Sequence, residues 1–233
     1  MLALIPAHNE RASLRGVIEE LRRVEPALEI LVVDDGSDDG TAELAAELGV
    51  RWLRFPVCLG VGSAMRAGIR WARQLGHDVV VRVDADGQHL GEHVADLLAP
   101  IADGRADATL GSRYSAPSRY RTPPGRRAVQ RLMAACLSTL LRQPVTDPTS
   151  GFWAFGPAAV RLLAEHHPTG YAEPELRLLL HRNNLRVLEV PVEMRDRTGG
   201  RSTLTLPRAT VAIARMLLAM VVSPLRAEEA AGD

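Results

Sequence analysis

VVVRVDADGQHL, residues 79–90, is an apolar run that ends in two closely spaced carboxylates. Four of its first five residues are valine, which is typical of a strand that is buried on both faces of a sheet. Asp84 and Asp86 follow, with one alanine between them. Two carboxylates held this close repel each other unless a cation lies between or beside them. The stretch therefore predicts a buried strand that leads directly into a cation site.

Strand-like and helix-like segments alternate on either side of this run, from residue 1 to residue 112. The predicted strands are LALIP (2–6), LEILVV (28–33), VRWLRF (50–55), DVVVRV (78–83) and ADATLGSR (106–113). The predicted helices between them cover 10–24, 39–49, 61–75 and 91–102. Strands that alternate with helices of this length indicate right-handed crossovers and a mostly parallel sheet. The expected fold class is α/β, with a Rossmann-like, mostly parallel sheet flanked by helices.

The pattern changes after residue 112, where loops rich in proline and glycine separate the segments. We predict helices over 126–142, 157–166 and 173–183, a strand over 185–194 and a final apolar helix over 207–223. None of the intervening loops has the composition of a linker between domains. We therefore expect a single domain over residues 1–233.

Composition excludes several classes of protein. The chain is 46% hydrophobic and 24% charged with a formal net charge of zero, so bulk charge favours no particular partner. Its two cysteines, Cys58 and Cys136, lack metal-type spacing and predict reduced thiols in a cytoplasmic protein. No apolar run reaches the length of about 18 residues that a membrane-spanning helix needs. Gly60 and Gly62 do not extend to the full dinucleotide-binding pattern, which argues against a dinucleotide fold.

Three polar clusters follow predicted strands: PAHNE (6–10), DDGSDDG (34–40) and DADGQH (84–89). In an open α/β sheet, ligands bind beyond the carboxyl ends of the strands, so this topology gathers the three clusters at one edge. Mg²⁺ and Mn²⁺ prefer oxygen ligands, often carboxylates together with substrate phosphates. Asp84, Asp86 and the amide of Gln88 are thus predicted to hold Mg²⁺ or Mn²⁺. The alternative is a polar turn that only ends the strand.

With these residues assembled, the chain resembles the family 2 glycosyltransferases of the GT-A fold. The resemblance is strongest to dolichol-phosphate mannose synthases and related polyprenyl-phosphate glycosyltransferases. It rests on six motifs in order: IPAHNE, VVDDGSDDGT, VDADGQH, GSRY, DPTSGF and VPVEMRDRTGGRST. It implies an inverting, metal-dependent hexosyltransferase that moves a sugar from a GDP- or UDP-sugar to polyprenyl or dolichyl phosphate. Residues 1–112 would bind the nucleotide-sugar, and residues 113–233 would bind the acceptor.

The resemblance also implies a role for each matched residue. The nucleotide would contact Pro6, Ala7, Asn9, Glu10, Asp35 and Asp84. The metal would bind Asp84, Asp86 and Gln88. The acceptor or the donor phosphate would contact Arg113, Arg197, Ser202 and Glu175. Asp147 would lie near the reacting centre, so that Asp147, Asp86 and Arg113 are the expected catalytic residues. The basic motif of the family ends in Ser-Lys, whereas Thr203 follows Ser202 here.

Two features bear on the acceptor. Residues 112–146 contain seven arginines and no acidic residue. Such a stretch favours binding to the phosphates of a lipid or of a bilayer surface. The alternative is that these arginines form a solvated helix face. Helix 207–223 could lie in a membrane interface, which predicts peripheral contact with the inner face of the membrane, or it could pack in the core or in a homodimer. Aromatic residues are too few among the arginines to favour nucleic acid.

The chemistry of the acceptor decides what Asp147 must do. A hydroxyl acceptor needs a general base, for which Asp147 is the first candidate and Glu173 and Glu175 are rivals. A phosphate acceptor is already an anion, and Asp147 would then position arginines. Two other classes stay open: a non-catalytic module that binds nucleotide-sugars, and a sugar-1-phosphate nucleotidyltransferase. The latter needs a glycine-rich loop after the first strand, where this chain has PAHNE.

Overall fold

A computed structural model describes residues 1–115, 122–169 and 172–195. The strands are β1 (Leu2–Ala7), β2 (Glu29–Asp34), β3 (Arg51–Arg54), β4 (Val80–Arg82), β5 (Ala108–Ser112), β6 (Trp153–Phe155) and β7 (Val187–Pro191). The helices are α1 (Arg11–Val24), α2 (Thr41–Glu47), α3 (Val61–Gln74), α4 (Val94–Ala102), α5 (Pro124–Leu141), α6 (Pro157–His166) and α7 (Ala172–Arg182). Arg197, Ser202 and the helix predicted over 207–223 lie outside the described residues.

The strands form one sheet in the order β3-β2-β1-β4-β6-β5-β7. Strands β1 to β4 pair in parallel, as do β5 and β7, whereas β6 runs antiparallel to both of its neighbours. The predicted fold class, a mostly parallel α/β sheet, is confirmed. The sequence did not predict β6, because its three residues are too few to show a strand periodicity.

Both faces of the sheet are covered by apolar side chains, as the valine-rich runs predicted. Leu2 and Leu4 of β1 belong to one core cluster, while Ala3 and Ile5 belong to the cluster on the other face. All four residues are fully buried. This alternation follows from the two-residue repeat of a strand. Helices α3 and α6 pack on the first face, and α1 and α4 pack on the second.

Most predicted helices are confirmed with small shifts at their ends. Helix α2 begins at Thr41, two residues later than predicted, because Gly40 has a φ of 87° and Asp39 accepts the Thr41 N–H at 3.0 Å. The helix predicted over 91–102 divides into a 3₁₀ turn at Gly91–His93 and α4. Within the three described ranges, no helix has both the length and the apolarity needed to cross a bilayer.

The direction of β6 matters for the site. Strands β1, β2, β4 and β5 all end at one edge of the sheet. Since β6 runs the opposite way, the loop that precedes it arrives at that same edge. Residues 143–152, which contain the DPTSGF motif, are therefore brought to the carboxyl ends of the parallel strands, where α/β folds bind their ligands.

Candidate active site

The loops after β1 and β2 are joined by hydrogen bonds at this edge. The strands end side by side, with Ala7 opposite Asp34. The N–H of Asn9 donates to Oγ of Ser37 at 2.9 Å, and the N–H of Asp38 donates to Oδ1 of Asn9 at 3.0 Å. These contacts bring the PAHNE and DDGSDDG clusters together, as the topology predicted. The remaining predicted nucleotide contacts of the first cluster, Pro6, Ala7 and Glu10, lie on or directly after β1.

Asp35 organises a third loop beside these two. Its carboxylate accepts the N–H of Leu59 at 2.7 Å and the N–H of Gly60 at 2.8 Å, and it is almost completely buried. Gly36 makes the close approach of the loop feasible. Its φ is 69°, and an added Cβ would lie 2.6 Å from the carbonyl carbon of Val57. Asp35 therefore fixes the entry to α3 at the edge where it was predicted to meet a base.

Asp84 and Asp86 follow β4 directly and differ in exposure. The side chain of Asp84 is 28% exposed, whereas Asp86 is buried and accepts the N–H of Gln88 at 3.0 Å. Nδ1 of His89 accepts the N–H of Asp84 at 3.0 Å, so its proton is carried on Nε2. The His89 ring stacks on Phe152 at 4.5 Å, and burial lowers its pKa to about 4, which keeps it neutral. The turn after β4 is thus held in one conformation.

Arg82, which the sequence did not single out, lies in the same cluster. Its Nε donates to Oδ1 of Asp84 at 2.9 Å, and its Nη1 donates to Oε1 of Glu173 at 3.2 Å. Burial alone would lower the pKa of Arg82, but the two carboxylates outweigh that effect and raise its pKa. The available signal was the spacing of 82 and 84, which places both side chains on one face of the strand. The partner on α7 could not be read from spacing.

Gly151 closes over the Arg82–Asp84 pair. A Cβ added at this glycine would lie 2.7 Å from Nη2 of Arg82 and 2.7 Å from Oδ2 of Asp84. Any larger residue would have to displace the guanidinium or the carboxylate. The glycine of the DPTSGF motif therefore serves close packing against the charged pair.

The side chains at the end of β4 fit a divalent cation by type. Asp84, Asp86 and Gln88 supply carboxylate and amide oxygens, which hard cations prefer. The side-chain amide of Gln88 also donates to the carbonyl of Arg195 at 3.3 Å, which fixes its position. Over the residues that the structure describes, no three His, Cys, Asp or Glu side chains are grouped to hold a metal ion. An ion here would accordingly need oxygens from a bound diphosphate as well.

Arg113 and Asp147 form a buried, bidentate ion pair at the end of β5. Nε of Arg113 donates to Oδ2 of Asp147 at 2.7 Å, and Nη2 donates to Oδ1 at 2.7 Å. Nη2 also donates to Oγ1 of Thr149 at 2.9 Å. Asp147 is fully buried, and Arg113 is 6% exposed. Asp147 thus holds the guanidinium in a fixed orientation.

Tyr114 brings a second arginine to this pair. The guanidinium carbon of Arg127 lies 3.4 Å from the centre of the Tyr114 ring, and that of Arg113 lies 5.4 Å from it. The Tyr114 hydroxyl donates to Oε1 of Gln130 at 2.9 Å. The start of α5 is therefore fixed to the end of β5, with two guanidinium groups close to one aromatic ring.

Residues 147–152 connect the two charged groups. Asp147 pairs with Arg113, Gly151 lies against Asp84, and Phe152 stacks on His89. The predicted residues Asp84, Arg113 and Asp147 are thus assembled around one loop, and Asp86 and Gln88 lie in the turn that follows Asp84. Glu175 is half-buried on the neighbouring helix α7.

Comparisons with known proteins identify the family of the chain. The family model for glycosyl transferase family 2 matches residues 3–161. The chain is 34% identical over 214 residues to the polyprenol monophosphomannose synthase of Mycolicibacterium smegmatis, covering 88% of this chain and 80% of that protein. It is 31% identical over 239 residues to the undecaprenyl-phosphate mannosyltransferase of Micrococcus luteus, covering 97% of this chain and 98% of that protein.

A solved structure shares the fold. The glucosyl-3-phosphoglycerate synthase of Mycobacterium tuberculosis, crystallised with Mn²⁺ and uridine-diphosphate-glucose, superposes with a TM-score of 0.68 at 26% identity. The match covers 95% of this chain and 77% of that chain. The family match over more than half of the chain, the two relatives and the shared architecture lead to one conclusion: the chain belongs to glycosyl transferase family 2 and is a glycosyltransferase of the GT-A fold.

Proposed function

We propose that the chain transfers a hexose from a GDP- or UDP-sugar to polyprenyl or dolichyl phosphate, by a single displacement with inversion, in the presence of Mg²⁺ or Mn²⁺. The names of the two relatives described above support a polyprenyl-linked product. The solved structure with Mn²⁺ and uridine-diphosphate-glucose supports the metal and the donor type. Residues 1–112 are assigned to the donor and residues 113–233 to the acceptor.

The burial and hydrogen bonds of Asp147 are the observation that favours a phosphate acceptor over a hydroxyl acceptor. A hydroxyl acceptor must lose a proton to a base within hydrogen-bond reach, whereas a phosphate oxygen is already an anion. Asp147 is fully buried, and both of its oxygens accept hydrogen bonds from Arg113. Glu173, a rival base, is paired with Arg82. Asp147 is accordingly placed to hold an arginine rather than to take a proton, which supports a phosphate acceptor.

The donor end would use the loops after β1, β2 and β4. Pro6, Ala7, Asn9, Glu10 and Asp35 would line the nucleoside pocket, and Asp84, Asp86 and Gln88 would hold the cation. When bound, such an ion neutralises the charge of a departing nucleoside diphosphate. The chain itself keeps the turn after β4 rigid through the contacts of His89 and Gly151. Rigid placement of the carboxylates favours one orientation of the donor.

The acceptor end would use the arginines near β5 and α5. Arg113 is held by Asp147, and Arg127 lies against the same tyrosine as Arg113. Arg197, Ser202 and Glu175 stay assigned to the acceptor or donor phosphate. The apolar residues 207–223 are assigned to a membrane interface, which would place the protein peripherally at the inner face of the membrane, within reach of a lipid acceptor in that bilayer.

Comparing two lipid acceptors tests this function. The purified chain is incubated with radiolabelled GDP- and UDP-hexoses and with either a polyprenyl phosphate or the matching polyprenol, which differs only in lacking the phosphate. We expect labelled lipid only with the phosphate, and only while Mn²⁺ or Mg²⁺ is present. Equal transfer to the polyprenol would contradict the acceptor assignment, and full activity in excess chelator would contradict the metal assignment. If transfer to the polyprenol is seen, Glu175→Gln tests whether Glu175 serves as the base.

A further inference from the structure

A single buried cation, Arg82, is shared between two carboxylates that lie 89 positions apart in the sequence. Its Nε donates to Asp84 at 2.9 Å, and its Nη1 donates to Glu173 at 3.2 Å. We infer that Glu173 is a positioning residue, which acts through Arg82 to set how strongly Asp84 attracts a divalent cation at the donor end. This inference rests on the proposed function.

Arg82 is enclosed between Asp84 and Glu173 and is almost inaccessible to water. Its side chain is 5% exposed, compared with 28% for Asp84 and 20% for Glu173. Gly151 packs against the guanidinium, at the distances given above. Because Arg82 is enclosed in this way, its charge is compensated mainly by the two carboxylates and only weakly by water. Charge interactions at such a site are stronger than those at an exposed one.

Sharing the guanidinium has a defined electrostatic consequence. While Glu173 is charged and paired, only part of the positive charge of Arg82 offsets Asp84, so Asp84 keeps more of its attraction for a cation. If the charge of Glu173 is removed, Arg82 pairs with Asp84 alone. The carboxylate is then more fully neutralised, and a divalent ion competes for it less well.

The arrangement joins the two assigned parts of the chain. Glu173 lies in the first turn of α7, in the part assigned to the acceptor, whereas Arg82 and Asp84 lie on and after β4, in the part assigned to the donor. A coupling between two sites is reciprocal by thermodynamic necessity. A cation bound at Asp84 would therefore also favour the pairing of Arg82 with Glu173.

A purely structural role for Glu173 predicts a different result. An acid in the first turn of a helix stabilises that helix through its dipole, and Glu173 meets this condition. That contribution does not depend on Arg82. A role through Arg82, by contrast, must disappear when residue 82 carries no charge. A double-mutant cycle separates the two.

The wild-type chain is first tested for binding of UDP and of GDP. The affinity for Mn²⁺ is then measured by titration calorimetry in the presence of the nucleotide that binds. We expect Glu173→Gln to weaken this binding by about fivefold or more in the wild-type background. In the Arg82→Met background, Glu173→Gln should change the affinity for Mn²⁺ by less than about twofold, which is within the usual limits of additivity. Glu165→Gln, which removes the charge from an exposed ion pair with Arg73, is the matched control and should leave binding unchanged.

The outcomes are distinct. A folded Glu173→Gln protein that binds as tightly as the wild type would overturn the inference, and so would an equal loss in both backgrounds. If Arg82→Met does not fold, Arg82→Lys provides the second background. Lysine keeps the charge but loses the fork that reaches two carboxylates at once, so the effect of Glu173→Gln should shrink there too. A wild-type chain that shows no binding with Mn²⁺ would overturn the proposed function itself, and the inference with it.

Discussion

Nε of Arg113 lies 2.7 Å from Oδ2 of Asp147, and Nη2 of the same guanidinium lies 2.7 Å from Oδ1. The two parallel contacts form a bidentate pair, the strongest common geometry between these side chains. They connect the end of β5 to the loop that leads into β6. This ion pair is almost shielded from water, and it helps to hold the loop against the end of β5.

Removing the charge of Asp147 should destabilise the protein strongly. Asp147→Asn leaves the Arg113 guanidinium buried without its counter-ion, and breaking a buried pair in this way costs about 3–5 kcal/mol. Urea unfolding of the wild type and the variant measures the difference. Asp107→Asn, which disrupts the exposed pair with Arg186, is the control and should cost far less. Equal small losses in both variants would show that the buried pair does not hold the loop.

Gly151 should tolerate no side chain. Gly151→Ala places a Cβ 2.7 Å from both members of the Arg82–Asp84 pair, and overpacking of this kind typically costs about 1–3 kcal/mol. Gly16→Ala, within α1, is the matched control because nothing lies within 4 Å of its added Cβ. That change should stabilise the helix by about 0.5–1 kcal/mol. A neutral Gly151→Ala in urea unfolding would contradict the close packing.

The two aspartates after β4 could be identified from the sequence because their signal is local. An apolar strand, a carboxylate pair and the rule that ligands bind at strand ends are all contained in residues 79–90 and the topology. The alternation of strands and helices likewise gave the parallel sheet. Each of these inferences needs only neighbouring residues and a general packing rule.

The contacts that complete the site are not local, and the sequence did not give them. Strand β6 has three residues, and only its pairing with β4 and β5 makes it a strand. Arg82 and Glu173 meet because α7 packs near the end of β4, which no periodicity predicts. The pairing of Arg113 with Asp147 was foreseen only as one of two roles for Asp147. In each case long-range packing decides which partner a charged residue finds.

Asp86 should be required for donor binding that depends on a metal. Asp86→Ala removes one of two carboxylates at the end of β4, so binding of UDP or GDP should no longer improve when Mn²⁺ is added. A thermal-shift titration measures this, because a ligand that binds the native state raises its stability. Asp103→Ala, at an exposed ion pair with Arg105, is the control and should respond to Mn²⁺ as the wild type does. An unchanged response in Asp86→Ala would remove Asp86 from the metal site.

His167 should make stability depend on pH. Burial lowers its pKa from 6.5 to about 4, although its hydrogen bond to the Pro168 carbonyl acts in the opposite direction. Between these values the unfolded chain binds more protons than the folded one, so stability is lost as the pH falls from 6.5 towards 4. For this shift the loss amounts to about 3 kcal/mol.

Replacing His167 checks that assignment. In His167→Asn the free energy of unfolding, measured by urea titration at several pH values, should fall less steeply over the same pH window than in the wild type. His166→Asn changes the adjacent exposed histidine and should keep the wild-type slope. Identical slopes in all three proteins would show that His167 does not contribute to this loss of stability.

Transfer of labelled sugar from a nucleotide-sugar to polyprenyl phosphate tests the central claim most directly. The decisive measurement compares the initial rate of the wild-type chain with Mn²⁺, the same chain in excess chelator, and Asp86→Ala with Mn²⁺. We predict labelled polyprenyl phosphate from the first reaction alone. Product formed at equal rates in all three reactions, or in none of them with any GDP- or UDP-hexose, would contradict the account.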